Sequence, residues 1–155
     1  MKTMPVPPLP PQATDARTAR VIAFYESLTP HTLPGLDTLY AHDARFIDPF
    51  NDVTGLAAIR RVFEHMFATL DSAIFEVTES VTEGQQCFLI WNFRLRRHAG
   101  AAEMTVHGAS HLRYTGEGRI GWHRDYWDPA REVYESVPAL GVVMRWLRRR
   151  LSAGA

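Results

Sequence analysis

Four strand-like segments follow one another between residues 73 and 128, with no room for a helix between them. They are AIFEVTESVT (73–82), QCFLIWNFRLRR (86–97), MTVHGASHLRYT (104–115) and RIGWHRDYWD (119–128), with turns at EGQ, HAGAA and GEG between them. Each is rich in β-branched and aromatic residues and is bounded by turn formers, the pattern of consecutive strands. Connections this short join antiparallel neighbours, because a parallel pair needs a crossover of a dozen residues or more. A doubly wound parallel sheet is therefore excluded for this half of the chain.

Upstream the apolar spacing turns helical. From Thr14 or Asp15, a plausible N-cap, Ala19, Val21, Ile22, Tyr25 and Leu28 recur on one face until Pro30. LPGLDTLYAHD (33–43) reads as a second short helix with Leu36, Leu39 and Tyr40 on one side. ARFIDPF (44–50) reads as a short strand that breaks at Pro49, with Gly55 closing the bend. LAAIRRVFEHMFATL (56–70) then places Ile59, Val62, Phe63, Met66, Phe67 and Leu70 on one face of a third helix. Helices first and a strand meander after them predict an α+β fold, with the helices packed on one face of a curved antiparallel sheet.

The ends differ from this middle. MKTMPVPPLPPQ has five prolines in twelve residues, so residues 1–13 are expected to form an arm outside the fold, and 14–130 the domain itself. After Pro138, VVMRWLRRRL has the spacing of a basic amphipathic helix, so 131–155 form a C-terminal helix and tail. Such a helix can lie on a membrane, but its short apolar face favours covering a groove of its own domain or of a partner subunit.

Charge narrows the partners. With 17 basic and 17 acidic residues there is no general attraction to polyanions, so neither nucleic acid nor a membrane surface is an expected partner. Cys87 is the single cysteine and sits within CFLIW, so it reads as a small buried hydrophobe, in keeping with a cytoplasmic location.

The chemistry concentrates in GWHRDYWDPA (121–130). On a strand, His123, Asp125 and Trp127 share one face, and Trp122, Arg124 and Tyr126 the other. A histidine beside a carboxylate can hold a proton near neutral pH; the plainer alternative is an Asp125 that only pairs with Arg124 or Arg94. Asp48 in FIDPF has the same two readings, a base facing the interior or a cap on the bend before the third helix. His107 and His111 stand four apart on a strand, about 13 Å, too far to share one ion, so no metal site is expected.

Taken together, the helices, the strand ending in an Asp-Pro pair, the glycine, the third helix and the closing GRI-x-WHRDYWD resemble the nuclear transport factor 2-like superfamily, above all its SnoaL-like branch. Ketosteroid isomerases, limonene-epoxide hydrolases and polyketide cyclases are relatives. The resemblance covers about Ala16 to Pro129. It implies a cone of curved antiparallel sheet closed by N-terminal helices around an apolar pocket. It further implies that Asp48 stands where the isomerases carry their general base, and that His123 and Asp125 match a proton-shuttling pair of the cyclases. Tyr25 falls near the isomerase oxyanion tyrosine; Ser110 stands where those enzymes carry a protonated acid, and is a weaker donor. The Arg-x-Asp of the epoxide hydrolases has no counterpart near Trp91 and Phe93.

The function expected from the resemblance is acid/base chemistry without a cofactor, of isomerase or cyclase type, on a small apolar carbonyl compound. Asp48, His123 and Asp125 are its expected catalytic residues, and Tyr25, Phe46, Phe67, Trp91, Ser110 and Trp127 its ligand contacts. A homodimer through the outer face of the sheet is also expected. The alternative is a ligand-binding or dimerisation module that performs no chemistry, because this fold hosts both.

Overall fold

The computed structural model of the chain describes residues 15–129 and 140–151. The proline-rich arm expected over 1–13 lies outside them. Helix α1 (Ala16–Glu26) begins where Asp15 caps it, its carboxylate accepting from the backbone N–H groups of Arg17 and Thr18. It ends at Ser27, whose hydroxyl donates back to the Ala23 carbonyl, three residues before Pro30 could break it. Asp15 also pairs with the Arg17 guanidinium, which holds its carboxyl down at about 2.

The second predicted helix is shorter than its apolar spacing suggested. A 3-10 turn (Leu33–Gly35) runs into the single turn of α2 (Leu36–Leu39), and Tyr40–Asp43, expected as helix, opens strand β1 (Tyr40–Ile47) instead. Tertiary pairing overrides the local pattern here. Tyr40 is fully buried and paired with Ile120, and a helix could not offer its backbone to a neighbouring strand. A three-residue strand the sequence did not announce, β2 (Asp52–Thr54), turns back on β1 with Phe46 opposite Val53. Gly55, at a φ of 94°, then swings the chain into α3 (Leu56–Thr69), which buries Ile59 and Phe63.

The four long strands fall close to their sequence limits: β3 (Ser72–Glu83), β4 (Gln86–Arg96), β5 (Met104–Tyr114) and β6 (Ile120–Trp127). They form the expected antiparallel meander, inside a curved and unclosed six-stranded sheet of order β2-β1-β6-β5-β4-β3. One pairing differs in direction. β1 lies parallel to β6, with Phe46 beside His123, so the first strand is bonded to the last.

α1 lies on β3 and α3 on β1, and the core fills the space between these helices and the concave sheet face. One buried polar knot ties α1 down. The Thr18 hydroxyl, 1% exposed, lies 2.7 Å from the Thr82 hydroxyl, 2.9 Å from that of Tyr114 and 3.5 Å from the Cys87 thiol. A hydroxyl this deep is tolerated because it is bonded.

On β4 the alternation is settled. Cys87, Leu89 and Trp91 are buried on the concave face, while Phe88 and Ile90 are about half exposed on the convex one. The C-terminal amphipathic pattern is met by α4 (Leu140–Leu151), which leaves Val142, Val143, Trp146 and Leu151 exposed. None of the helices among the described residues is long and apolar enough to cross a membrane.

Candidate active site

The concave face of the sheet holds a small cavity lined by Tyr25 of α1, Phe63 of α3, Phe75 and Val77 of β3, Leu89 and Trp91 of β4, Ser110 of β5, and His123 and Asp125 of β6. Its free space is about 30 Å³, enough for one or two water molecules. The walls are almost wholly apolar, so the few polar groups stand out.

Those groups form one continuous chain of hydrogen bonds. The Trp91 indole N–H donates to the Ser110 hydroxyl at 2.9 Å, and that hydroxyl donates to Asp125 Oδ1 at 2.5 Å. His123 Nε2 meets the same oxygen at 2.7 Å. On the far side of the imidazole, Nδ1 lies 2.6 Å from the Tyr40 hydroxyl, which is bonded in turn to the hydroxyl of Tyr25. Both bonds to the carboxylate fall on Oδ1. Among the described residues no donor reaches Oδ2.

The sequence builds this arrangement by alternation and by one missing side chain. Period-two geometry turns His123 and Asp125 to the same face, and β5 sets Ser110 directly opposite Asp125. Trp91 reaches across to Ser110 only because Gly108 lies beneath its ring. A Cβ at Gly108 would stand 2.2 Å from the indole, well inside contact distance. Phe46 packs on His123 at 4.7 Å between ring centres, and the Tyr40 ring lies parallel to the imidazole.

Burial decides the protonation of the two tyrosines. It pushes both hydroxyls well above the ordinary tyrosine value, so Tyr25 and Tyr40 keep their protons across the whole working range. His123 is buried, while Asp125 keeps 18% of its side chain exposed.

Of the residues the sequence singled out, Tyr25, Trp91, Ser110, His123 and Asp125 line this cavity together. Phe46 lies beneath it, against His123. Trp127 shares the strand face of His123 and Asp125 but packs on Phe50, 5.4 Å away, outside the lining. Asp48 and Phe67 are not brought there. The Asp48 carboxylate caps the bend, accepting from the N–H groups of Phe50 and Asn51 at 2.7 Å each and from the Asn51 amide. Phe67 faces a surface groove with Pro30, Leu33, Pro34 and Arg60. Asp125 bonds to His123 and Ser110 rather than to Arg124 or Arg94. His107 bonds to Asn92 and His111 to Gln86 on the convex side of the sheet.

Sequence reasoning missed Tyr40, because its neighbours read as helix. It also missed Phe75 and Val77, although their alternation along β3 marks one face of a strand.

A cone-shaped α+β domain with a polar chain at the base of an apolar cavity defines the class, that of the nuclear transport factor 2-like proteins. The profile of the SnoaL-like domain matches residues 21–123, about two thirds of the sequence, and the chain belongs to that family. Solved structures agree on the fold. A nuclear transport factor 2-like protein of unknown function from Burkholderia pseudomallei superposes with a TM-score of 0.67 at 17% identity, over 76% of this chain and 95% of its own. A Catenulispora acidiphila protein with a ketosteroid isomerase-like fold, solved with trimethylamine, gives 0.66 at 20% identity over 77% and 91%. A candidate SnoaL-like polyketide cyclase from Shewanella putrefaciens gives 0.63 at 17% over 75% and 82%. No curated protein matches the sequence significantly.

Proposed function

We propose that this protein is an acid/base enzyme of isomerase or cyclase type that needs no cofactor and acts on a small apolar carbonyl compound, with Asp125 as its base. The observation that carries this reading is the His123–Asp125 pair, bonded at 2.7 Å and facing walls made of Phe63, Phe75, Val77, Leu89 and Trp91. An apolar cavity with a few convergent polar groups suits a mostly apolar ligand held by one polar end. Structural neighbours described as candidate isomerases or polyketide cyclases of this family support the same reaction class.

In the proposed reaction Asp125 Oδ2 takes a proton from the carbon next to the substrate carbonyl. The C–H electron pair becomes the C=C bond of an enolate, and the carbonyl oxygen gains the negative charge. Tyr25 faces that oxygen as a hydrogen-bond donor. An isomerisation ends when Asp125 returns the proton at another carbon; a cyclisation ends when the enolate carbon attacks a second carbonyl of the same molecule. With a cavity near 30 Å³, only the reacting end of a larger substrate enters without movement of the walls.

The test is hydrogen exchange. Purified protein is incubated in deuterated water with a panel of cyclic ketones, and mass spectrometry counts deuterium next to the carbonyl. Exchange that Asp125→Asn abolishes and Asp48→Asn retains supports the assignment; the reverse result transfers the base role to Asp48. No exchange with ketones that demonstrably bind would leave a binding module without chemistry. The exposed Val81, Phe88, Ile90 and Tyr126 on the convex face support a second proposal, a homodimer formed through that face.

A further inference from the structure

The hydrogen-bond chain in the cavity has a direction, and a single proton reverses half of it. With His123 neutral and Asp125 ionised, every donor points toward the carboxylate. The indole donates to Ser110, Ser110 to Oδ1 and His123 Nε2–H to Oδ1. Nδ1 then has no hydrogen, so it must accept from the Tyr40 hydroxyl at 2.6 Å, and the Tyr40 oxygen accepts from Tyr25. The Tyr25 proton is thereby spent, and its oxygen presents only lone pairs to the cavity.

With His123 doubly protonated, Nδ1–H donates to the Tyr40 oxygen. Tyr40 then turns its own proton toward Tyr25, and the Tyr25 proton is released into the cavity. We propose that Tyr40 is a positioning residue that couples the proton on His123 to the hydrogen-bonding sense of Tyr25, so that the cavity accepts from a ligand when His123 is neutral and donates to a ligand carbonyl when it is protonated. The inference rests on reading this cavity as the ligand site. It adds a ligand rule: acceptor-only carbonyl compounds bind the protonated form, and hydroxylic donors bind the neutral form.

The geometry leaves little room for another arrangement. Both tyrosines keep one proton each, because burial disfavours their ionised forms. The groups around His123 are Tyr40 and Phe46 of β1, Tyr25 of α1, Leu112 and Ser110 of β5, and Asp125 of its own strand. Asp125 is the one charge among them. Apart from the two tyrosines, which keep their protons, no other titratable group within this set acts on the Tyr40 hydroxyl.

The decisive experiment uses the full chain, with and without cyclopentanone as an acceptor-only probe. Long-range nitrogen–proton spectra of the free protein, followed through the His123 titration, should show neutral His123 with its hydrogen on Nε2. Cyclopentanone, titrated at a series of pH values, should lose affinity about tenfold per pH unit above the His123 midpoint, as expected when one protonated form binds. In Tyr40→Phe that dependence should flatten, and Tyr25→Phe, which leaves the His123 contact with Tyr40 in place, should flatten it too. Neutral His123 protonated on Nδ1 would overturn the proposal, as would wild-type affinity unchanged across the titration or no binding below it. These are measurements of tautomer and binding, so they stand or fall apart from whether ketones undergo exchange.

Discussion

The two faces of the sheet are made from the same strands and from nearly the same kinds of residue, yet they behave as opposites. On the concave side Trp91, Ser110, His123 and Asp125 spend their polar atoms on one another inside an apolar enclosure. On the convex side, one residue along each strand, Phe88 stacks on His111, His111 bonds to Gln86, and Ile90 and Tyr126 face outward about half exposed. What separates a site from a surface is enclosure rather than residue type. The His123 imidazole is bonded to a carboxylate inside the enclosed cavity; the His111 imidazole, though buried too, is covered only by the neighbouring Phe88 and Trp122 rings and bonds to an amide.

That contrast can be broken from the inside most easily. Leu112, fully buried on β5 opposite His123, should lose about 2–5 kcal/mol on truncation to alanine, measured by urea unfolding. Gly108→Ala should follow at about 1–3 kcal/mol, because the added methyl forces the indole off its seat. Its signature is a moved Trp91 indole N–H resonance, read alongside the lowered melting temperature.

The convex face offers subtler handles. Burial, and then Arg113, hold the His111 imidazole below its ordinary value of 6.5. The unfolded chain therefore takes up a proton first, so the stability from neutral His111 is complete above pH 6.5 and is lost as the pH falls below it. Urea midpoints compared at pH 7.5 and 5.5, roughly a unit either side of the free imidazole value, should drop less in His111→Gln than in the wild type. Ile90→Glu should shift the stability of the fold by only about 0.5 kcal/mol while converting the proposed dimer to a monomer in sedimentation.

The strands that build both faces were legible because their period of two and their short turns are local signals. The pairing of His123 with Asp125 was legible for the same reason, being two residues apart on one strand. What was hidden is what depends on distant partners. Tyr40 sits in a helical-looking phrase and becomes strand only because β6 lies beside it. Asp48 and Phe67 look like site residues by position, but one is consumed by backbone donors at its own bend and the other falls on the outer side of α3. Gly108 carries no mark in the sequence of the ring that will lie over it.

The pairing of β1 with β6 also sets an order of events. Tyr25 and Tyr40 are made early, yet the imidazole that completes their hydrogen bonding follows Tyr40 by 83 residues. At ordinary rates of synthesis that delay is on the order of ten seconds. During it the first half of the domain leaves the ribosome with the Tyr40 hydroxyl lacking its imidazole partner and strand β1 still lacking its neighbour β6. The polar chain is therefore among the last features to close, and a nascent chain stopped before residue 120 has α1 and α3, the helices that line the cavity among the described residues, but neither the histidine nor the carboxylate to enclose.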